Sequence, residues 1–95
     1  MSYNVIFHPG ALREFDKLPK SVQERLGEII DDLTEEPRPQ GAVKLTGVEA
    51  YRVRVGTYRI AYAVGDERLV VLIVKVGHRR DVYREIETIK RRLNL

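Results

Sequence analysis

There is no cysteine in this 95-residue sequence. That excludes disulfides and thiolate-held metal, so packing has to supply the stability. Long apolar runs are missing too. The longest, Leu69–Val74, falls far short of the roughly 20 residues that a membrane-spanning helix needs. Residues 1–20 carry no signal-peptide pattern, so the cytoplasm is the expected compartment and no membrane partner is expected. The two histidines, His8 and His78, lie far apart, with no HxxxH pair and no clustered carboxylates. No metal or other cofactor is therefore expected. Repeats and low-complexity tracts are absent as well. The expectation is one domain over residues 1–95, near the size at which a single core just suffices.

What is present describes an ordinary folded chain, with 43% hydrophobic and 33% charged residues. The net charge of +3 hides an asymmetry. Residues 1–40 hold five Lys/Arg against eight Asp/Glu, a net −3; residues 41–95 hold twelve against six, a net +6. The basic half contains the segments that read as strands. An anionic partner docking on one side suits this pattern, and so does a merely solvated basic surface.

Residues 3–7 read as a short first strand, and His8-Pro9-Gly10 breaks it and starts a helix over about 10–17. Leu18-Pro19 stops that helix. A second begins near Ser21, which with Glu24 forms a capping box, and Val22, Leu26, Ile29, Ile30 and Leu33 make its apolar stripe. Its outer face is acidic. Pro37-Arg38-Pro39-Gln40-Gly41 ends it. A short strand entry at 42–45 precedes a meander of strands at about 51–55, 58–64 and 69–76, and a last helix runs over about 82–93. Centring the second turn on Asp66-Glu67 pairs Gly65 with Arg68, and hence Arg59 with Val74. The fold class is α+β: an N-terminal strand and helical hairpin packed on a curved antiparallel sheet of about four strands, plus a C-terminal helix. With the helices on one face, Arg52, Arg54 and Arg59 emerge on the other.

The segment from Tyr51 to Val64 is the most specific. With Gly56-Thr57 as a two-residue turn, Val55 pairs with Tyr58, Arg54 with Arg59 and Arg52 with Ala61. Val53 then meets Ile60 and Tyr51 meets Tyr62 on the other face, where Tyr51, Tyr58 and Tyr62 pack. Like charges directly opposite each other destabilise a hairpin. Guanidinium groups held together there suit a shared anion, and a phosphodiester backbone is the best candidate. The following strand exits beside the Gly56 turn. It brings Gly77-His78-Arg79-Arg80-Asp81-Val82-Tyr83 to the same place.

Four segments together resemble the RelE/ParE superfamily of toxins, and its RelE branch in particular, over nearly the whole length. They are Ala11-Leu-Arg-Glu-Phe-Asp-Lys-Leu-Pro19, Lys44-Leu-Thr-Gly47, Tyr51-Arg-Val-Arg-Val-Gly-Thr-Tyr-Arg-Ile-Ala-Tyr62 and Val76-Gly-His-Arg-Arg-Asp-Val-Tyr83. The last two are the specific ones. The resemblance implies a microbial-ribonuclease-type fold and a metal-independent endoribonuclease that cuts mRNA in the ribosomal A site. It also implies a RelB-like antitoxin as protein partner, the ribosome with its mRNA and rRNA as target, and DNA contact only through the antitoxin.

Residue by residue, the family's first pair of basic sheet residues falls on Arg52 and Arg54. Its phosphate-binding arginine falls on Arg59, and the basic residue after the Val-Gly loop falls on Arg79, with Arg80 as the alternative. The base-stacking tyrosine falls on Tyr83. Lys44, Lys75 and Arg80 are further RNA-binding candidates. Attack of a 2′-hydroxyl on the adjacent phosphate needs a base, charge stabilisation and an acid. Arg59 and Arg79 suit the charge, and Tyr83 offers a stacking face. The departure lies at Arg52 and Arg54, where many relatives carry lysine, because arginine is a very poor base. Either His78 carries the proton, or the reaction runs on electrostatics and ribosomal positioning; the preferred reading combines them, with the arginines stabilising, the ribosome orienting and His78 or Tyr83 assisting. Two other readings stand beside the nuclease: a ParE-like protein that inhibits DNA gyrase by binding, and an RNA-binding module without catalysis.

Overall fold

The computed structural model describes residues 2–78 and 82–94, and for 82–84 the backbone alone. In chain order the elements are β1 (Asn4–Phe7), α1 (Pro9–Asp16), α2 (Lys20–Glu35), β2 (Val43–Lys44), β3 (Tyr51–Val55), β4 (Tyr58–Gly65), β5 (Val70–His78) and α3 (Val82–Leu93). The α+β class holds. The sheet has five strands in the order β1-β5-β4-β3-β2, one more than expected. It is mixed rather than wholly antiparallel, because β1 pairs with β5 in parallel, from Asn4 opposite Val70 to Phe7 opposite Ile73.

Local chemistry places each break. His8 caps α1, its Nδ1 accepting the Gly10 N–H at 3.0 Å, and Pro9 supplies a preset φ where no N–H is needed. The expected capping box on Ser21 does not form. Pro19 is the N-cap instead, with no side-chain cap bond, and its carbonyl accepts the first intrahelical bonds from Val22 and Gln23. Gln23 Nε2 reaches back to the carbonyls of Asp16 and Leu18. The side chain that closes this junction thus belongs to residue 23.

The register of β3 with β4 is the expected one at all five pairs, including Arg54 opposite Arg59. Gly56 adopts φ +63 at the first central position of the turn, as a type II′ hairpin requires. The register of β4 with β5 differs from the expected one. Gly65 faces Val70, and Arg59 faces Gly77 instead of Val74. Leu69 takes a left-handed φ of 54 that lengthens the turn, and an irregularity between Ala61 and Tyr62 adds a further shift.

Two cores follow. On one face, α1 and α2 bury Ala11, Leu26, Ile30 and Leu33 against Val53, Ile60, Tyr62, Val71, Ile73 and Val76. On the other, α3 buries Ile89 against Ala61, Val74, Leu45 and Ala50. The expectation that all helices share one face is therefore corrected. The alternation of arginines with apolar residues resembles a solvent face, but α3 covers it.

Candidate active site

Arg52, Arg54 and Arg59 share one face of the β3–β4 hairpin, because side chains alternate along strands and the register sets Arg54 opposite Arg59 and Arg52 opposite Ala61. Their exposures differ. Arg54 is exposed and Arg52 half-buried, while Arg59 is 8% exposed. Burial comes from α3, whose Glu85, itself 6% exposed, lies over Arg59. Arg59 Nη1 donates to Glu85 Oε2 at 3.1 Å. Among the described residues this carboxylate bonds Arg59 and also acts on the charge of Arg52. Burial first, and then the like charges of Arg59 and Arg54, lower the Arg52 pKa from its ordinary value, with Glu85 opposing.

Two polar groups in this cluster are left over. Arg52 Nε and Arg59 Nε are buried and meet no acceptor among the described residues. Native interiors leave very few such groups without a reason. Next to them a cleft of about 80 Å³ opens at the hairpin tip, lined by Arg54, Gly56, Tyr58 and Arg59. Gly56 leaves room on the opposite side for the Arg25 guanidinium of α2, since a Cβ there would stand 3.1 Å from its nitrogen.

The end of β5 meets this tip. His78 pairs with Tyr58 across the strands, with the two rings edge-on and their centroids 5.4 Å apart. Gly77 lies opposite Arg59. The shifted register thus brings His78 one residue from the position facing Arg59, nearer than the sequence register implies. Arg79 and Arg80 lie outside the described residues. Tyr83 stands in the first turn of α3, with its side chain outside the description.

The remaining candidates are placed elsewhere. Lys75 is drawn into an ion pair with Glu14 at 3.1 Å and is 11% exposed at its side chain, so it is not available at the hairpin tip. Lys44 sits on β2 at the far edge of the sheet, 3.6 Å from Glu49. Among the described residues, no three His, Asp or Glu side chains gather as a metal site. Nor is any helix long and apolar enough to cross a membrane.

Glu85 is the residue that sequence reasoning missed. Nothing local marks it, because a glutamate in the first turn of a helix is ordinary. Only the packing of α3 on the arginine face gives it a role. Glu14 was missed similarly. Where β1 ends, Glu14 takes over the open edge of β5, accepting the Val76 N–H at 3.1 Å and both guanidinium arms of Arg92 from α3 at 2.9 and 3.0 Å.

The geometry can be set against known proteins. The family described as the ParE toxin of the type II toxin–antitoxin system parDE matches residues 5–83. The mRNA interferase toxin RelE of Escherichia coli is 37% identical over 90 residues, covering 90% of this chain and 94% of that protein. A solved E. coli RelE toxin variant in the free state superposes with a TM-score of 0.80 at 33% identity, covering 96% of this chain and 98% of that one. The intact E. coli RelBE toxin–antitoxin complex matches with a TM-score of 0.74 at 34% identity, over 81% of this chain and 96% of that one. The chain therefore belongs to the ParE-toxin family of type II toxin–antitoxin systems, in its RelE-like branch.

Proposed function

We propose that this chain is the toxin of a type II toxin–antitoxin pair and cuts mRNA codons in the ribosomal A site. The observation that carries the reading is the pair of buried, unpartnered N–H groups, Arg52 Nε and Arg59 Nε, beside the cleft at the hairpin tip. A buried donor without an acceptor costs about 1–3 kcal/mol. A phosphate oxygen removes that cost. Guanidinium binds phosphate bidentately and stays charged, so the cluster suits a scissile phosphodiester and the charge that grows on it in the transition state. The name of the E. coli relative, mRNA interferase toxin, supports RNA as the polymer.

The reaction is an internal transesterification. The 2′-oxygen bonds to phosphorus, the bond from phosphorus to the 5′-oxygen breaks, and a 2′,3′-cyclic phosphate and a 5′-hydroxyl remain. Arg59, Arg54 and Arg52 hold the phosphorane charge, and Arg79 adds to it. Tyr83 stacks on the target base. His78, at the end of β5 beside Tyr58, carries the proton, and the ribosome orients the codon. No metal takes part. The chain is held inactive by a RelB-like antitoxin, a partner supported by the solved RelBE complex.

RNA 5′-end mapping after induction tests this, with Arg54→Ala and Arg59→Lys as variants. Arg59→Ala is the wrong choice, since it strands Glu85 as a buried, unpaired charge at about 3–5 kcal/mol. Lysine keeps the charge and loses the planar fork. Arg54 has no carboxylate partner among the described residues, so Arg54→Ala leaves stability within about 0.5 kcal/mol. In-frame cuts within translated codons are expected from the wild type, weakened by Arg54→Ala and weakened most, but still measurable, in Arg59→Lys. Growth arrest by the wild type with intact mRNA overturns the reading and moves the target to gyrase.

A further inference from the structure

Glu85 presents a puzzle that the proposed function does not absorb. A carboxylate buried at an anion site repels the anion. Yet Glu85 sits 3.1 Å from Arg59, at the centre of the arginine cluster, and it is among the most buried charged groups described. Stability alone explains it poorly. A buried ion pair gains little over apolar residues of the same volume, because desolvation offsets the attraction.

The atoms of the contact suggest another role. A guanidinium has two edges that can grip an oxyanion: the end-on pair Nη1 and Nη2, and the side-on pair Nε and Nη2. Glu85 takes Nη1. Among the described residues that leaves the side-on edge without an acceptor, and its Nε–H is the orphaned donor. A planar group held at one corner is fixed in rotation. Arg59 also lines the cleft where Arg54 and Gly56 meet.

We infer that Glu85 is the positioning residue of this site: by holding Arg59 at Nη1 it presents the Nε/Nη2 edge, pre-oriented, to the phosphate. The same contact ties the first turn of α3, and with it the backbone of Tyr83, to β4. Glu85 touches neither the RNA nor the reacting atoms; it acts through Arg59. The inference rests on the nuclease reading of the site. Pre-orientation affects rate more than occupancy. Small misplacements of a transition-state group cost on the order of a hundredfold in rate, whereas the ribosome and the remaining arginines still bind.

Single-turnover cleavage of mRNA on programmed ribosomes tests it, with Glu85→Gln, Glu85→Asp, Arg59→Lys and the Arg59→Lys/Glu85→Gln double variant. The maximal rate should fall about 100-fold in Glu85→Gln. The toxin concentration for half-saturation should change less than about threefold, and Glu85→Asp should recover about tenfold of the rate. In the Arg59→Lys background Glu85→Gln should add less than about threefold, because an ammonium has no edge to aim. A Glu85→Gln rate equal to wild type overturns the inference. So does a loss confined to half-saturation, or an equal loss in both backgrounds, which marks a structural role. If Glu85→Gln does not fold, Glu85→Asp carries the test, and an unchanged rate overturns it. Wild type that leaves ribosome-bound mRNA intact overturns the nuclease reading itself and this inference with it.

Discussion

Against α1 and α2 the sheet presents Val53, Ile60, Tyr62, Val71, Ile73 and Val76, which meet Leu26, Ile30 and Leu33 with almost no polar atom among them. Against α3 it presents Ala61 and Val74, with Ala63 and Leu72 partly buried beside them, together with Arg59. The first interface is a broad apolar core. The second is narrower and is held at both ends of the helix by charge, Glu85 on Arg59 near its start and Arg92 on Glu14 near its finish. Apolar contact is non-directional and roughly proportional to area. Charged hydrogen bonds are directional and break when one partner finds a better one. Apolar packing thus dominates one face, while the other combines a smaller apolar cluster with the arginine cluster and two ion pairs.

Truncation on each face is the strongest way to break that contrast. Leu26→Ala and Ile89→Ala both remove a fully buried side chain, and each should cost about 2–5 kcal/mol. The two losses should register differently. Leu26→Ala lowers the global unfolding midpoint and the amide protection of every strand. Ile89→Ala opens α3 first, so exchange quickens over 85–93 while β4 and β5 stay protected. Equal loss of protection in α3 and in the strands after Ile89→Ala would show one cooperative unit and sink the distinction.

The charge anchor at the far end of α3 gives a smaller effect. Arg92 donates to both Glu14 oxygens and to the Val74 carbonyl at 2.8 Å, and its side chain is 15% exposed. Removing it leaves a part-buried carboxylate short of donors, so Arg92→Ala should cost about 1–3 kcal/mol. Gly10→Ala should mimic it, because a Cβ at Gly10 would stand 2.6 Å from the Arg92 guanidinium. Urea midpoints of the two variants check this. A Gly10→Ala protein as stable as wild type would mean that Arg92 has another place to go.

How much of this was legible in the sequence differs along the chain for physical reasons. The β3–β4 register could be read in full because a two-residue glycine turn leaves one way to pair. The β4–β5 register could not, because the left-handed Leu69 and the shift at Ala61/Tyr62 depend on tertiary packing that no local pattern announces. The parallel pairing of β1 with β5 is equally silent, since its partners lie more than sixty residues apart. At the site, the arginine cluster and the return of His78 were readable from alternation and topology. Its burial was not. Polar alternation implies water, and only the docked helix shows that Arg59 faces Glu85.

Acid gives the smallest effect and the sharpest view of the anchor. His8 caps α1 and Glu14 lies within it, and both feel the charge of Arg92. Burial first, then the charges of Arg92 and Arg13, lower the His8 pKa from its ordinary 6.5, with Glu14 opposing. The fold favours neutral His8, whose Nδ1 caps α1. The unfolded chain binds the proton more readily, so the His8 contribution is complete above about 6.5 and declines as pH falls through that value toward the lower folded pKa. For Glu14, burial raises the pKa, but the bonds from Arg92, Val76 N–H and Lys75 outweigh it, and the net shift is downward from 4.5. Its contribution is complete above the ordinary value and is lost only as pH falls below it. Two steps should therefore appear in the urea midpoint between pH 7.5 and 3. His8→Asn keeps a capping oxygen and does not titrate, so it should erase the upper step and leave the lower one. If His8→Asn and wild type lose stability in parallel across the upper range, His8 is not the group that loosens this end of the helix.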